Sequence, residues 1–199
     1  MQAEEIRALA NTVHERGLKL HMDGARVFNA AEALGIPASK LTEPVDSVMF
    51  CLSKGLSAPV GSMLAGSGEF IHRARKFRKI LGGGMRQAGV IAAAGIIALE
   101  EMIDRLSQDH ARAGRLARAL SHIPGVKTIA SNYQTNILLI DIEGTGLSAK
   151  QFVEKLSGVG IRILPRGQTT LRAVVHRHID DEDVEQVIEA FGKVSGMGA

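Results

Sequence analysis

Tryptophan is absent from this 199-residue chain, tyrosine occurs once, and aromatic residues make up only 4%. Core volume must therefore come from aliphatic side chains, and a hydrophobic content of 45% supplies enough of them for a sizeable core. There is one cysteine, Cys51. It cannot form an internal disulfide, and its place in an apolar run favours a buried free thiol, which suits a reducing compartment and a cytoplasmic location. No run approaches the ~20 apolar residues of a membrane span; the longest apolar segment, Ala88 to Leu99, is short and rich in alanine and glycine. The opening Met1-Gln-Ala-Glu-Glu lacks the basic-then-apolar order of a secretory signal and is too acidic for a transit peptide. Neither sign of charge dominates. A net charge of +3 does not require an anionic polymer, so neither a nucleic acid nor a membrane is expected as a partner.

What is present is alternation. Ile6, Leu9, Ala10 and Val13 recur at helical spacing, with Gly17 as the stop. Leu18 to Met22 reads as a short strand, and Ala25 to Leu34 as a helix closed by Gly35 and Pro37. Val45 to Leu52 is a mostly apolar run that suits a strand buried on both faces. Gly61 to Ala65 is a third strand, Glu69 to Lys79 a basic helix, and Gly82-Gly83-Gly84 a turn. An Ala-rich helix runs from Gln87 to Leu106, with a break near Ser107 before a helix from Asp109 to Leu120. Pro124-Gly125 is a turn. Strands follow at Asn136–Asp141, Ile161–Leu164 and Thr170–Val175, with a Ser148/Gln151 capping box before one helix and Asp180 capping the last. This order indicates an α/β fold with a boundary near residue 105, giving domains 1–105 and 106–199. Three strands are few for an independent sheet of this class, so the chain reads as starting partway through a larger domain.

Two strand ends carry the chemistry. Leu18-Lys-Leu-His-Met-Asp23 ends in an acid and is followed by Gly24-Ala25-Arg26; Val45-Asp-Ser-Val-Met-Phe-Cys-Leu-Ser53 leads into Lys54-Gly55. An α/β enzyme presents an acid and an amine to one pocket in this way. Pyridoxal phosphate chemistry needs that pair, a lysine for the Schiff base and a carboxylate for the pyridinium nitrogen. Taken singly, Lys54 reads first as a surface lysine and Asp23 as a helix N-cap; it is their context that points to chemistry. Arg26 is either a solvent-facing residue or an anion clamp, a role its planar fork suits. Arg172 shares a strand face with Val174 and His176. Within an apolar strand it needs an anion, which an internal acid or a substrate carboxylate would supply. His176 and His178 have no evident third metal ligand, so no metal is expected. The basic run His72 to Lys79 reads as a solvated face or subunit contact. The triple glycine lacks the Lys-Ser/Thr of a phosphate loop, and no Gly-x-Ser-x-Gly element is present.

Three segments carry a family resemblance: His21-Met-Asp-Gly-Ala-Arg-Val-Phe-Asn29, Asp46 through Lys54 to Ser62, and Arg78-Lys-Ile-Leu-Gly-Gly-Gly-Met-Arg-Gln87. The chain closely resembles the L-threonine aldolase/aromatic amino acid β-eliminating lyase family, pyridoxal-phosphate enzymes of the aspartate aminotransferase fold type. The resemblance implies the later part of a fold type I large domain followed by a small α+β domain. It implies Lys54 as the Schiff-base lysine, Asp23 as the pyridinium partner, and Arg26 and Arg172 on the cofactor oxygen and substrate carboxylate. Arg86 is implied to reach a neighbouring subunit's site in a dimer or tetramer. The implied reaction is retro-aldol cleavage of threonine or allo-threonine, a small β-hydroxy amino acid, to glycine and acetaldehyde. Two departures stand out: the family usually has glycine at Ser57 and threonine at Val175. Family members are also longer, with the phosphate-binding and ring-stacking groups in an N-terminal stretch. The expectation for this chain alone is therefore poor cofactor binding and no activity, or a role through association with a full-length relative.

Overall fold

The structure is a computed structural model of the chain and describes residues 1–129 and 135–196. It divides into two compact units, Met1–Leu106 and Ser107–Ala199.

The first unit opens with helix α1 (Ala3–His14), strand β1 (His21–Asp23), helices α2 (Val27–Leu34) and α3 (Ala38–Thr42), and strand β2 (Ser47–Cys51). Strand β3 (Ser62–Gly66) and helices α4 (Gly68–Ile80) and α5 (Gly89–Glu100) follow. β1 and β2 are parallel, with Asp23 opposite Met49, and α2 and α3 form the crossover between them. β3 returns antiparallel on the other side of β2, pairing Cys51 with Ser62, so the order is β1-β2-β3. Ile6 of α1, Val27 and Ala31 of α2, and Leu41 of α3 close one core, against which Phe28 and Phe50 meet edge to face at 5.4 Å. A second cluster gathers Leu52, Leu56 and Ala58 with Ala98 and Leu106.

Several elements differ from expectation. α1 buries Ile6 and Ala10 but leaves Leu9 exposed. α3 lies just beyond Pro37, where the sequence suggested only a helix end; proline ends the preceding helix but is well tolerated at the start of the next. β2 buries Ser47, Val48 and Cys51 and only half-buries Met49 and Phe50. β3 is exposed along its whole length, and α4 buries no residue. The Ala-rich helix stops at Glu100 and a new helix, α6 (Leu106–Leu120), starts after a turn. Propensity alone reads Glu101-Met-Ile-Asp104 as helix. Packing of Met102, Ile103 and Leu106 around Leu52 and Leu56 overrides it.

The second unit contains most of α6, strands β4 (Lys127–Thr128) and β5 (Ile137–Asp141), a 3-10 turn at Glu143–Thr145, and helix α7 (Ala149–Ser157). Strands β6 (Leu164–Pro165) and β7 (Thr170–Val174) and helix α8 (Asp181–Gly196) complete it. The strands form an antiparallel sheet ordered β4-β5-β7-β6. Leu138, Ile140 and Leu171 point to one face, where Leu116, Leu120, Phe152, Leu156, Val184 and Phe191 cover them. The Ser148/Gln151 capping box forms as expected, and the Asp180 carboxylate accepts from the Asp183 N–H at 2.9 Å. Gly125 adopts φ +78° and lies so close to Gly144 that an added Cβ would stand 2.6 Å from its carbonyl carbon. That close approach explains the glycine of the Pro124-Gly125 turn.

Candidate active site

Asp23 is the last residue of β1 and Lys54 follows the end of the adjacent parallel strand β2 by three residues. The sheet therefore delivers both to the same edge, the carboxyl ends of its parallel strands. The Gly24 N–H donates to the Met49 carbonyl at 2.8 Å, and the Cys51 N–H reaches the Ala25 carbonyl at 3.4 Å, holding the two strand exits side by side. A Cβ on Gly24 would stand 2.9 Å from Val48 Cγ2 and 3.0 Å from the Met49 carbonyl oxygen, so the chain passes this close only as glycine. Asp23 Oδ1 accepts from the Ala25 N–H at 3.1 Å, a local turn contact that orients the carboxylate. Both Asp23 and Lys54 are exposed.

Lys54 begins a tight turn in which the Ser57 N–H donates to the Lys54 carbonyl at 2.9 Å. The loop is closed behind it by Ala58 N–H to the Leu52 carbonyl and Leu52 N–H to the Gly61 carbonyl, both 3.0 Å. Ser57 has φ +63°, and its hydroxyl donates to the Gly55 carbonyl at 3.3 Å. This is the left-handed region glycine favours, which gives a physical reason for the glycine that the resemblance expects there.

The other candidates are placed as follows. Arg26 immediately precedes α2 and is half-buried, in the segment that leaves Asp23. Arg86 is exposed in the connection between α4 and α5, beside Gln87, which has φ +49°. Arg172 is in β7 of the second unit, in register with Leu139 of β5 and Leu164 of β6 and on the sheet face opposite the core. Among the described residues no acid pairs with it. Asn29 is a neighbour of the Lys54 turn to which local sequence assigns no role. It is 3% exposed, and its amide lies against Gly55. A lone polar residue within the apolar Val27-Phe-Asn-Ala-Ala31 was the available signal.

A groove of about 600 Å³ is lined by Lys19, His21, Asp46, Ser47, Phe70 and Arg73 and lies at the amino ends of β1 and β2, away from this edge. There the Asp46 carboxylate accepts from Lys19 Nζ at 2.8 Å and the Leu20 N–H at 2.9 Å, and meets His14 Nε2 at 2.8 Å. These contacts hold its pKa well below the usual carboxylate range, the Lys19 hydrogen bond foremost.

The fold defines the class. A solved structure from Listeria monocytogenes, of a protein assigned as an L-allo-threonine aldolase, matches 98% of this chain and 57% of its own length with a TM-score of 0.81 at 22% identity. The chain thus has the fold of the pyridoxal-phosphate-dependent fold type I enzymes. Residues 1–143 match the beta-eliminating lyase family, and the chain belongs to that family. It is 41% identical over 192 residues to low-specificity L-threonine aldolase 1 of Arabidopsis thaliana, covering 96% of this chain and 54% of that one. It is 40% identical over 184 residues to the low-specificity L-threonine aldolase of Escherichia coli K12, covering 92% and 53%. The chain therefore spans about half the length of the curated relatives it matches. Pyridoxal 5′-phosphate is the cofactor of the family, and its threonine aldolases are carbon–carbon lyases. The residues present fit that group chemically: a carboxylate for a protonated ring nitrogen and a primary amine for an aldehyde stand at adjacent strand ends.

Proposed function

We propose that this chain carries the lysine-bearing part of a threonine aldolase-type lyase acting on small β-hydroxy amino acids such as L-threonine or L-allo-threonine. The observation that carries the proposal is the placement of Asp23 and Lys54 at the carboxyl ends of adjacent parallel strands. Pyridoxal phosphate, when bound, supplies an electron sink for the pair left on Cα when the Cα–Cβ bond breaks. In this reading Lys54 holds the cofactor's aldehyde carbon, and Asp23 keeps a proton on the ring nitrogen by pairing its carboxylate with it. Arg26 holds an anionic oxygen of cofactor or substrate, and Arg86 contributes a further cationic contact to the cofactor. Arg172 binds a substrate carboxylate. Support for that role comes from its half-burial and from the absence of an acidic partner among the described residues.

Purified protein titrated with pyridoxal phosphate and mixed with L-threonine tests the reading. For the chain alone the expected result is a weak visible absorbance band and little release of glycine; a stable band that is lost in Lys54→Ala would overturn that expectation while upholding Lys54 as the residue that holds the cofactor. A band of equal strength in Lys54→Ala would remove Lys54 from its role. Serine and cysteine as alternative substrates separate aldol cleavage from β-elimination by their products. A second reading, in which the chain acts mainly by associating with another copy or with a longer relative, is favoured by the exposed apolar side chains Ile80, Leu81, Met85 and Val90. Under it, cofactor binding and turnover appear only when the longer relative is added.

A further inference from the structure

Gly55, directly after Lys54, is buried between two side chains of its own unit. A Cβ placed on it would stand 2.7 Å from Asn29 Oδ1, 3.3 Å from Asn29 Nδ2 and 3.0 Å from Leu106 Cδ2. Asn29 is in α2, the helix that Asp23 and Arg26 lead into. Val27 and Ala31 of that helix share a stripe facing the Ile6–Leu41 cluster, and Asn29, two residues from each, points off that stripe toward the lysine loop. A polar amide 3% exposed costs stability unless it is bonded, and Asn29 is not without a partner. One buried amide thus links the helix that follows the acid to the backbone that carries the amine.

We propose that Asn29 is a positioning residue: packed against Gly55, it fixes the path of the Lys54 turn, and so the reach of the amine relative to the Asp23 strand end. This rests on the reading of Lys54 given above. Asn29 acts in this role through Gly55 and requires no contact with cofactor or substrate. Its action is to keep the Gly55 backbone from shifting, with Leu106 as the apolar floor on the other side.

The test uses the 199-residue chain, pyridoxal phosphate as probe, and borohydride to fix it on lysines, followed by peptide mapping. Lys76, exposed on α4, is the internal reference. The parent is expected to label Lys54 well above Lys76. In Asn29→Ala the Lys54:Lys76 ratio should fall about tenfold or more, since a displacement of ~1 Å can cost up to about a hundredfold in rate. Asn29→Asp, which keeps the shape and one acceptor oxygen, should recover part of it. Melting temperature is read in parallel: a purely structural asparagine would lower it and leave the labelling ratio unchanged. A raised parent ratio that neither substitution alters overturns this inference alone. A parent ratio near one overturns the Lys54 reading and this inference with it. If neither variant folds, Asn29 is a structural core residue and the proposal fails.

Discussion

At Ser57 the backbone pays for the absence of glycine. An L-residue in the left-handed region costs about 1–2 kcal/mol relative to the right-handed one, and Ser57 sits there at φ +63° with one 3.3 Å hydrogen bond in return. Ser57→Gly should raise stability by roughly 0.5–1 kcal/mol, because relief of that strain outweighs glycine's entropy cost. Denaturant unfolding measures it, and an unchanged or lower midpoint would show that the turn is not strained. Val175, the other departure, is buried in the core of the second unit and is bonded twice to Asn136: the Val175 N–H donates to the Asn136 carbonyl at 2.8 Å, and the Asn136 side-chain Nδ2 donates to the Val175 carbonyl at 2.9 Å. Asn136 Oδ1 is buried and has no partner among the described residues.

Among the elements, helix ends were the most legible because capping is local chemistry: the Ser148/Gln151 box, the Asp180 cap and the left-handed Gly35 are all readable within four residues. The end of α5 was not, because distant Leu52 and Leu56 decide it. Nor did the sequence reveal Asp46 as the junction of α1, β1 and β2, since its partners His14, Lys19 and Leu20 are 26 to 32 residues away. Its depressed pKa has a consequence for acid stability. The folded carboxylate titrates below its unfolded value of about 3.9, so its stabilisation is complete above that pH and is lost as pH falls through the folded pKa. Urea unfolding from pH 7 down to about 2.5 should show the parent losing stability more steeply below about pH 5 than Asp46→Asn. Parallel curves would deny Asp46 that role. The contribution is a modest one, because the Lys19 side chain is largely exposed.

For the whole molecule, the distribution of apolar surface separates the two units. The second has a continuous core in which Phe152 and Phe191 meet at 5.1 Å, and its α6 and α8 are tied by Arg112 and Arg115 to Asp181 and Glu185. The first divides its core into two small clusters and leaves Leu81 83% and Val90 86% exposed. This apolar surface is expected to be covered by a second copy of the chain. The protein should therefore sediment above its 21.2 kDa chain mass, and Leu81→Glu with Val90→Glu should shift it toward the monomer. A parent sedimenting as a monodisperse monomer would contradict this. By itself, the sequence determined the family, the α/β order and the two strand ends bearing Asp23 and Lys54, because these are written in contiguous residues and short-range spacing. Only the tertiary structure decided that those ends belong to adjacent parallel strands, that Arg172 has no acidic partner among the described residues, and that Asn29 packs against Gly55. Each of these depends on residues far apart in the chain meeting through the hydrogen-bonded register of a sheet or the close packing of a core, which no local pattern encodes.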